Sequence, residues 1–199
     1  NDEFDLGRSR DDIAEIAFKI EKRVQKGRAS PTDTTVSSYG GMFLIKEGTR
    51  KRLAPQNYHL VIGNSQATHS TARMVEKVAD LRAKYPRICE PVLDAIEALT
   101  LDAMKHLDEP PYLGRLMDMN HALLDVLGVG HTHLSRLVLA ARATGAYGAK
   151  ITGAGGGGCM VALAPKNLKA RIAGALEVTE GRAIITCLDT EGLRKEKDA

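Results

Sequence analysis

The chain has 199 residues, 43% of them hydrophobic and 27% charged, with a formal net charge of +3. That is the composition of a soluble globular protein with enough chain for one large or two small cores. It excludes a strongly basic nucleic-acid binder; the 4% aromatic content, without Trp, offers no base-stacking platform, and no apolar run approaches the roughly 18 residues of a membrane span.

In chain order, "SRDDIAEIAFKIEKRVQKG" predicts a helix. Ser9 and Asp12 form a variant capping box, Ile13, Ile16, Ala17, Ile20 and Val24 make an apolar stripe, and Gly27 ends it. Glu21 falls about 80° from the centre of that stripe and Glu15 about 160° away. Glu21 is thus expected at the border of the core, where a carboxylate needs a partner, and Glu15 in solvent. "RASPTDTTVSSYGG" reads as turn-rich and leads into a strand, "MFLIKEG". Within it Asp33 follows Pro31 among small hydroxyl residues, a setting that suits either an Asx-turn or a catalytic carboxylate. "TRKRLAPQN" reads as a polar connector and domain boundary, and "HLVIGNS" as a second strand.

The pattern then turns helical. One helix starts near Ser70 with Met74, Val78, Leu81 and Tyr85 on one face, and a second runs from about Pro91 to Leu107. A third, from about Leu113, carries Asn120 inside its apolar stripe, where its amide needs a hydrogen-bond partner. A fourth begins near Thr132 and stops at Gly145. A strand "AKIT", a glycine loop, a strand "CMVALAP", a helix from about Asn167 and a strand "RAIITCLD" complete the chain. Strands and helices are mixed without strict alternation, so the fold class is α+β.

The loop "TGAGGGGC" is the most distinctive stretch. Gly153-x-Gly155-x-x-Gly158 matches the dinucleotide fingerprint in letters, but that fingerprint must lead into a helix and here leads into a strand. No G-x-x-x-x-G-K-[ST] loop is present. What remains is a strand-to-strand connection whose bare backbone admits a ligand or packs against a neighbouring element. A Cβ at Gly155 or Gly156 is expected to push the backbone away from a bound group, harming turnover more than stability. The other chemical candidates are Ser70, Thr71 and Arg73 at a helix start, suited to an anion, and His131-x-His133, which lacks a third metal ligand. Cys89, Cys159 and Cys187 are odd in number and far apart, which suits free thiols and a reducing, cytoplasmic setting.

Three stretches together resemble the GHMP kinase family, and within it the archaeal branch that phosphorylates mevalonate. "KITGAGGGGCMVAL" resembles the family's C-terminal motif, "KIEKRVQKGRASPTDTTVSSYGG" its segment with a metal-binding Glu and a catalytic Asp, and "LMDMNHALLDVLGVGHTHLSRLV" the helix pair before the last motif. The resemblance spans essentially the whole chain. It implies Asp33 as the catalytic residue, Glu21 as a ligand of Mg2+, and Gly153, Ala154, Gly155 and Gly156, helped by Thr152, beside the phosphates of ATP. It implies substrate contacts from Ser30, Thr32, Arg73 and Asn120. Two departures stand out: "QKGRA" has one residue more than the family spacing, and the basic residue near "STAR" stands one position earlier in the family, at Ala72 here.

The implied architecture is the remainder of an N-terminal domain like domain 2 of ribosomal protein S5 over residues 1–54, then a ferredoxin-like C-terminal domain over 55–199. The family's phosphate loop, P-x-x-x-G-L-G-S-S-A, and the lysine flanking the aspartate would lie upstream of Asn1. The chain is therefore expected to be the C-terminal two-thirds of the enzyme, with most of the ATP grip missing when it is alone. The implied partners are mevalonate and ATP, with a homodimer as the assembly and neither nucleic acid nor membrane. Two alternatives stay open: another GHMP kinase, acting on phosphomevalonate or homoserine, and a non-catalytic ligand-binding or structural piece.

Overall fold

Ser9 starts the first helix as its neighbours dictate. Its hydroxyl takes the Asp12 N–H while the Asp12 carboxylate takes the Ser9 N–H at 2.9 Å, so two orphan donors are satisfied reciprocally. The structure, a computed structural model, describes residues 6–25, 27, 29–46, 49–68 and 70–194. Packing divides the chain into two units, residues 1–55 with 188–199, and residues 56–187.

The first unit holds α1 (Arg10–Val24), α2 (Thr32–Tyr39) and a hairpin of β1 (Phe43–Lys46) and β2 (Thr49–Arg52). Gly27 follows α1 with φ +86° and closes it through its N–H to Lys22 C=O, as expected. The face α1 buries differs from the expected stripe. Ala14 is buried and Phe18, Glu21 and Gln25 are half-buried together with Ile13 and Ala17 of the expected stripe, whereas Ile16, Ile20 and Val24 are 44%, 57% and 76% exposed. The burying face is thus rotated towards Glu21, on a helix that packs on α2. Glu15 pairs with Lys19 at 2.7 Å on the solvent side, as expected.

Residues 32–39 are a helix, not the predicted turn leading directly into a strand. Thr35 N–H donates to Pro31 C=O, and Ser30 Oγ accepts from Thr32 N–H, so local groups start a helix that β-branched residues favour only weakly. The "polar connector" also contains a strand: β2 pairs antiparallel with β1, Phe43 opposite Arg52 and Ile45 opposite Arg50. Arg52 lies over the Phe43 ring and Arg50 over Tyr39, and these cation–π contacts replace the apolar alternation that would have marked a strand. The last two residues of the predicted strand, Glu47 and Gly48, lie outside the described residues. The tail at 188–194 ties this unit together: Gly41 N–H donates to Asp189 C=O, Leu193 N–H to Ser38 C=O, and Arg10 to the carbonyls of Glu191 and Leu193.

The second unit contains β3 (His59–Asn64), α3 (Thr71–Lys84), α4 (Pro86–Ala103), α5 (Pro110–Val126), α6 (Thr132–Ala143), β4 (Gly148–Ile151), β5 (Cys159–Ala164), α7 (Lys169–Val178) and β6 (Arg182–Cys187). The four strands form one antiparallel sheet in the order β4-β5-β3-β6. That is the ferredoxin-like order, in which two βαβ halves interleave. α4 begins at Pro86, five residues before the predicted start. Pro86 occupies the first turn, where its missing N–H costs nothing, and Pro91 lies inside the helix.

One face of the sheet, with Val61, Met160, Ala162 and Ile151, closes on Leu134, Leu137, Val138 and Ala141 of α6 and Ile172 and Leu176 of α7. Each fully buried Leu or Ile contributes about 1.5–3 kcal/mol from removal of apolar surface. Gly145, at φ +102°, terminates the α6 segment, as expected. α5 crosses the edge strand β4 at Gly114 and Gly148, whose backbones touch: a Cβ on Gly148 would stand 1.9 Å from the Gly114 carbonyl oxygen. Among the described residues no helix is long and apolar enough to cross a membrane.

Candidate functional site

The glycine loop joins β4 to β5, strand to strand, so the dinucleotide geometry is absent here. Thr152 N–H donates to Cys159 C=O and closes the strand pair at the loop's base. Gly153, Gly155, Gly156, Gly157 and Gly158 all have positive φ, from +69° to +150°. Side chains rarely adopt such backbone, which is why the segment is glycine almost throughout.

The loop is braced from two sides. Gly156 N–H donates to Val129 C=O at 2.8 Å, in the turn between α5 and α6. On the other side Gly158 N–H donates to Ala67 C=O, while Gly158 C=O accepts from both the N–H and the hydroxyl of Ser65, in the segment between β3 and α3. Among the described residues, no hydrogen-bond acceptor meets the N–H groups of Gly153, Ala154, Gly155 and Gly157. Successive unbonded N–H groups on a glycine-rich backbone, here from Gly153 to Gly155, are the pattern of an anion-binding surface, with Gly153 exposed, Ala154 half-buried and Gly155 and Gly157 buried.

Space around the glycines corrects one expectation. A Cβ at Gly155 would stand 2.2 Å from the Val129 carbonyl oxygen, and one at Gly156 2.5 Å from the Met74 sulfur. Those two glycines pack against protein, so substituting them attacks the fold first. A Cβ at Gly153 meets nothing within 4 Å, so this glycine, unlike 155 and 156, has a free face.

Arg73 lies in the first turn of α3, its N–H capped by Ser70 Oγ, with Met74 of the same turn against Gly156. The structure therefore brings the α3 start and the glycine loop together. Asn120 is half-buried on α5 and its side-chain amide has no hydrogen-bond partner among the described residues, although the sequence led one to be expected. His133 Nε2 contacts Thr179 C=O at 3.0 Å and His131 Nδ1 is buried without a partner, and among the described residues neither belongs to a group of three His, Cys, Asp or Glu that could hold a metal.

In the first unit, Asp33 is exposed in the first turn of α2, where the helix dipole favours its charge. Ser30 Oγ and Thr32 Oγ1 lie 2.8 Å apart beside it and bond to each other. Glu21 projects from α1, which packs on α2. Its Oε1 accepts from Gln25 Nε2 at 2.9 Å, and its Oε2 is buried with no partner. A buried carboxylate oxygen without a partner is costly unless a cation completes it. No group of three His, Cys, Asp or Glu side chains that could hold a metal occurs among the described residues. One carboxylate oxygen still suits Mg2+, which keeps several waters and is commonly held by one or two carboxylates plus substrate phosphates.

Sequence reasoning missed the groups that hold the loop. Val129 and Ala67 act through backbone carbonyls, which side-chain identity does not encode. The glycines at 128 and 130 flanking Val129 were the available signal.

Residues 100–180 match the family model described as GHMP kinases C terminal. The chain is 41% identical to the mevalonate kinase of Pyrococcus abyssi, across 97% of this chain and 59% of that protein. Among solved structures it is similar to L. major mevalonate kinase in complex with R-mevalonate, with TM-score 0.82, 26% identity, and coverage of 94% of this chain and 60% of that one. It is also similar to the Methanococcus jannaschii mevalonate kinase, with TM-score 0.80, 26% identity, and coverage of 94% and 58%. The chain thus spans about three-fifths of the length of these relatives.

Proposed function

The chain belongs to the GHMP kinase family, and from that premise we propose that the protein carrying it transfers the γ-phosphoryl group of ATP to the primary hydroxyl of mevalonate. The observation that carries this reading is the braced glycine loop with four unbonded N–H groups, in a chain similar to mevalonate kinases over nearly its whole length. Phosphoryl transfer depends mainly on positioning and on neutralising charge, and a fixed backbone surface supplies both without reorganising.

In this reading the amides of Gly153, Ala154 and Gly155 face phosphate oxygens, and the Thr152 hydroxyl, exposed at the loop's base, assists. Arg73 adds a cation at the neighbouring helix start. Asp33 orients the mevalonate hydroxyl and accepts its proton, while Ser30, Thr32 and Asn120 contact the substrate. Glu21 Oε2 is the oxygen that would hold Mg2+, which when bound neutralises phosphate charge. Residues 1–54, with the tail from 188 that bonds to them, are read as part of the S5-like domain and 56–187 as the ferredoxin-like domain, and the protein as cytoplasmic.

A substrate panel tests the reading. Purified protein carrying this chain, given ATP and Mg2+, should phosphorylate mevalonate in preference to phosphomevalonate and homoserine. Preference for either of the others would assign a different kinase of the family, and transfer to none would remove the kinase reading.

A further inference from the structure

β4 is an edge strand, and an edge exposes unpaired backbone groups that need cover. Here the cover is ionic. Ala149 N–H donates to Asp118 Oδ1 at 2.9 Å and Ile151 N–H to His121 Nδ1 at 3.5 Å, two side chains one turn apart on α5. Arg142 of α6 completes the set: its Nε lies 2.6 Å from Asp118 Oδ1, and its Nη2 donates to Ala149 C=O at 2.6 Å. Ile151 is the last residue of β4, two positions before Gly153.

The same helix reaches the other brace of the loop. His121 Nε2 faces Asp125 Oδ2 at 3.6 Å. A Cβ at Gly130 would stand 2.1 Å from Asp125 Oδ1, so that carboxylate lies against the turn whose Val129 carbonyl receives Gly156 N–H. One face of α5 therefore touches both the strand leading into the loop and the turn holding its middle.

We propose that His121 is a positioning residue for the glycine loop: its neutral ring fastens the end of β4, and protonation unfastens it. The chemistry is a donor–acceptor requirement. His121 Nδ1 can accept from Ile151 N–H only while unprotonated, which leaves the ring proton on Nε2 towards Asp125. A second proton would set N–H against N–H. The ring is only 5% exposed. Burial lowers its pKa most strongly, Arg142 and Lys150 lower it further, and Asp125 and Asp118 oppose them. The effect of this fastening on turnover rests on the kinase reading, but the fastening itself does not.

Amide hydrogen exchange of the protein carrying this chain, followed at Ile151 and at Thr152, whose N–H closes the strand pair on Cys159 C=O, between pH 7.5 and 5, tests the proposal without any assay of activity. After correction for intrinsic exchange, protection should be high at pH 7.5 and fall by up to about tenfold per pH unit once the ring titrates. His121→Asn keeps an acceptor at the Nδ1 position that does not titrate, so its protection should stay level with pH. His121→Phe should be poorly protected throughout. Protection in the wild type that ignores pH, or a His121→Asn variant that loses it as the wild type does, would overturn the proposal. Mevalonate phosphorylation measured on the same three proteins keeps the two readings apart. Activity that is absent while the exchange pattern holds refutes the kinase reading and leaves the fastening intact.

Discussion

The glycine loop and the Asp33 segment carry complementary chemistry and are built in opposite ways. The loop is held by backbone bonds to Val129, Ala67 and Ser65, and three of its glycine positions, 155, 156 and 158, are fixed by packing or by those bonds. Asp33 is exposed on an eight-residue helix, and its neighbours Ser30 and Thr32 bond mainly to one another. A surface that stabilises charge must be rigid before the charge develops, whereas a carboxylate that meets a hydroxyl must be reachable. The contrast predicts that damage at Asp33 affects chemistry and that damage in the loop affects structure as well.

The largest effect is expected from Asp33→Asn. Removing a general base typically costs about 10²–10⁴-fold, so kcat should fall by that order while thermal stability and ATP affinity stay near wild type. Wild-type turnover in this variant would end the assignment of Asp33.

Next come the loop glycines, which divide the comparison from the other side. Gly155→Val places a side chain on a φ of +76° and against the Val129 carbonyl. The left-handed conformation alone costs about 1–2 kcal/mol, and the overlap adds to it, so the melting temperature should drop clearly. Gly153→Ala carries the conformational cost without the overlap. Its stability loss should be no more than about 1–2 kcal/mol, and its loss of phosphoryl transfer should exceed what that explains. Equal melting temperatures for the two variants would contradict the division between packed and open glycines.

A smaller effect is expected at Ser70, whose hydroxyl caps the helix that carries Met74 against the loop. Ser70→Ala should cost about 1 kcal/mol in denaturant unfolding. The smallest belongs to the tail of the first unit. Asp189 is held down to about 2 by Arg194 and by the Glu191 and Gly192 N–H groups. Its contribution is therefore complete above the ordinary carboxylate pKa near 3.8 and is lost as pH falls towards 2. The stability difference between wild type and Asp189→Asn should shrink across that window; a constant difference would show that the tail's bonds do not depend on this charge.

These regions were also unequally legible in the sequence. The loop could be read because left-handed backbone demands glycine, so the constraint is written in residue type. The ferredoxin-like strands and most helices could be read from periodicity. α2 was hidden because Thr and Ser favour caps and turns over helix interiors, and β2 because Thr49–Arg52 has no apolar residue to alternate. The buried face of α1 was only partly read: Ile13 and Ala17 of the apolar stripe are half-buried, but Ala14, the residue that is fully buried, lies off that stripe on the side of Glu21. Asp118, His121 and Arg142 were missed because their partners are strand backbone, which no spacing rule marks.

The most direct measurement is a backbone amide NMR titration of the protein carrying this chain with ATP and Mg2+. The account predicts that the amides of Gly153, Ala154, Gly155 and Gly157 shift on binding, while those of Gly156 and Gly158, already bonded to Val129 and Ala67, hold still. Saturating nucleotide that leaves the first four unmoved, or that moves all six alike, would contradict it.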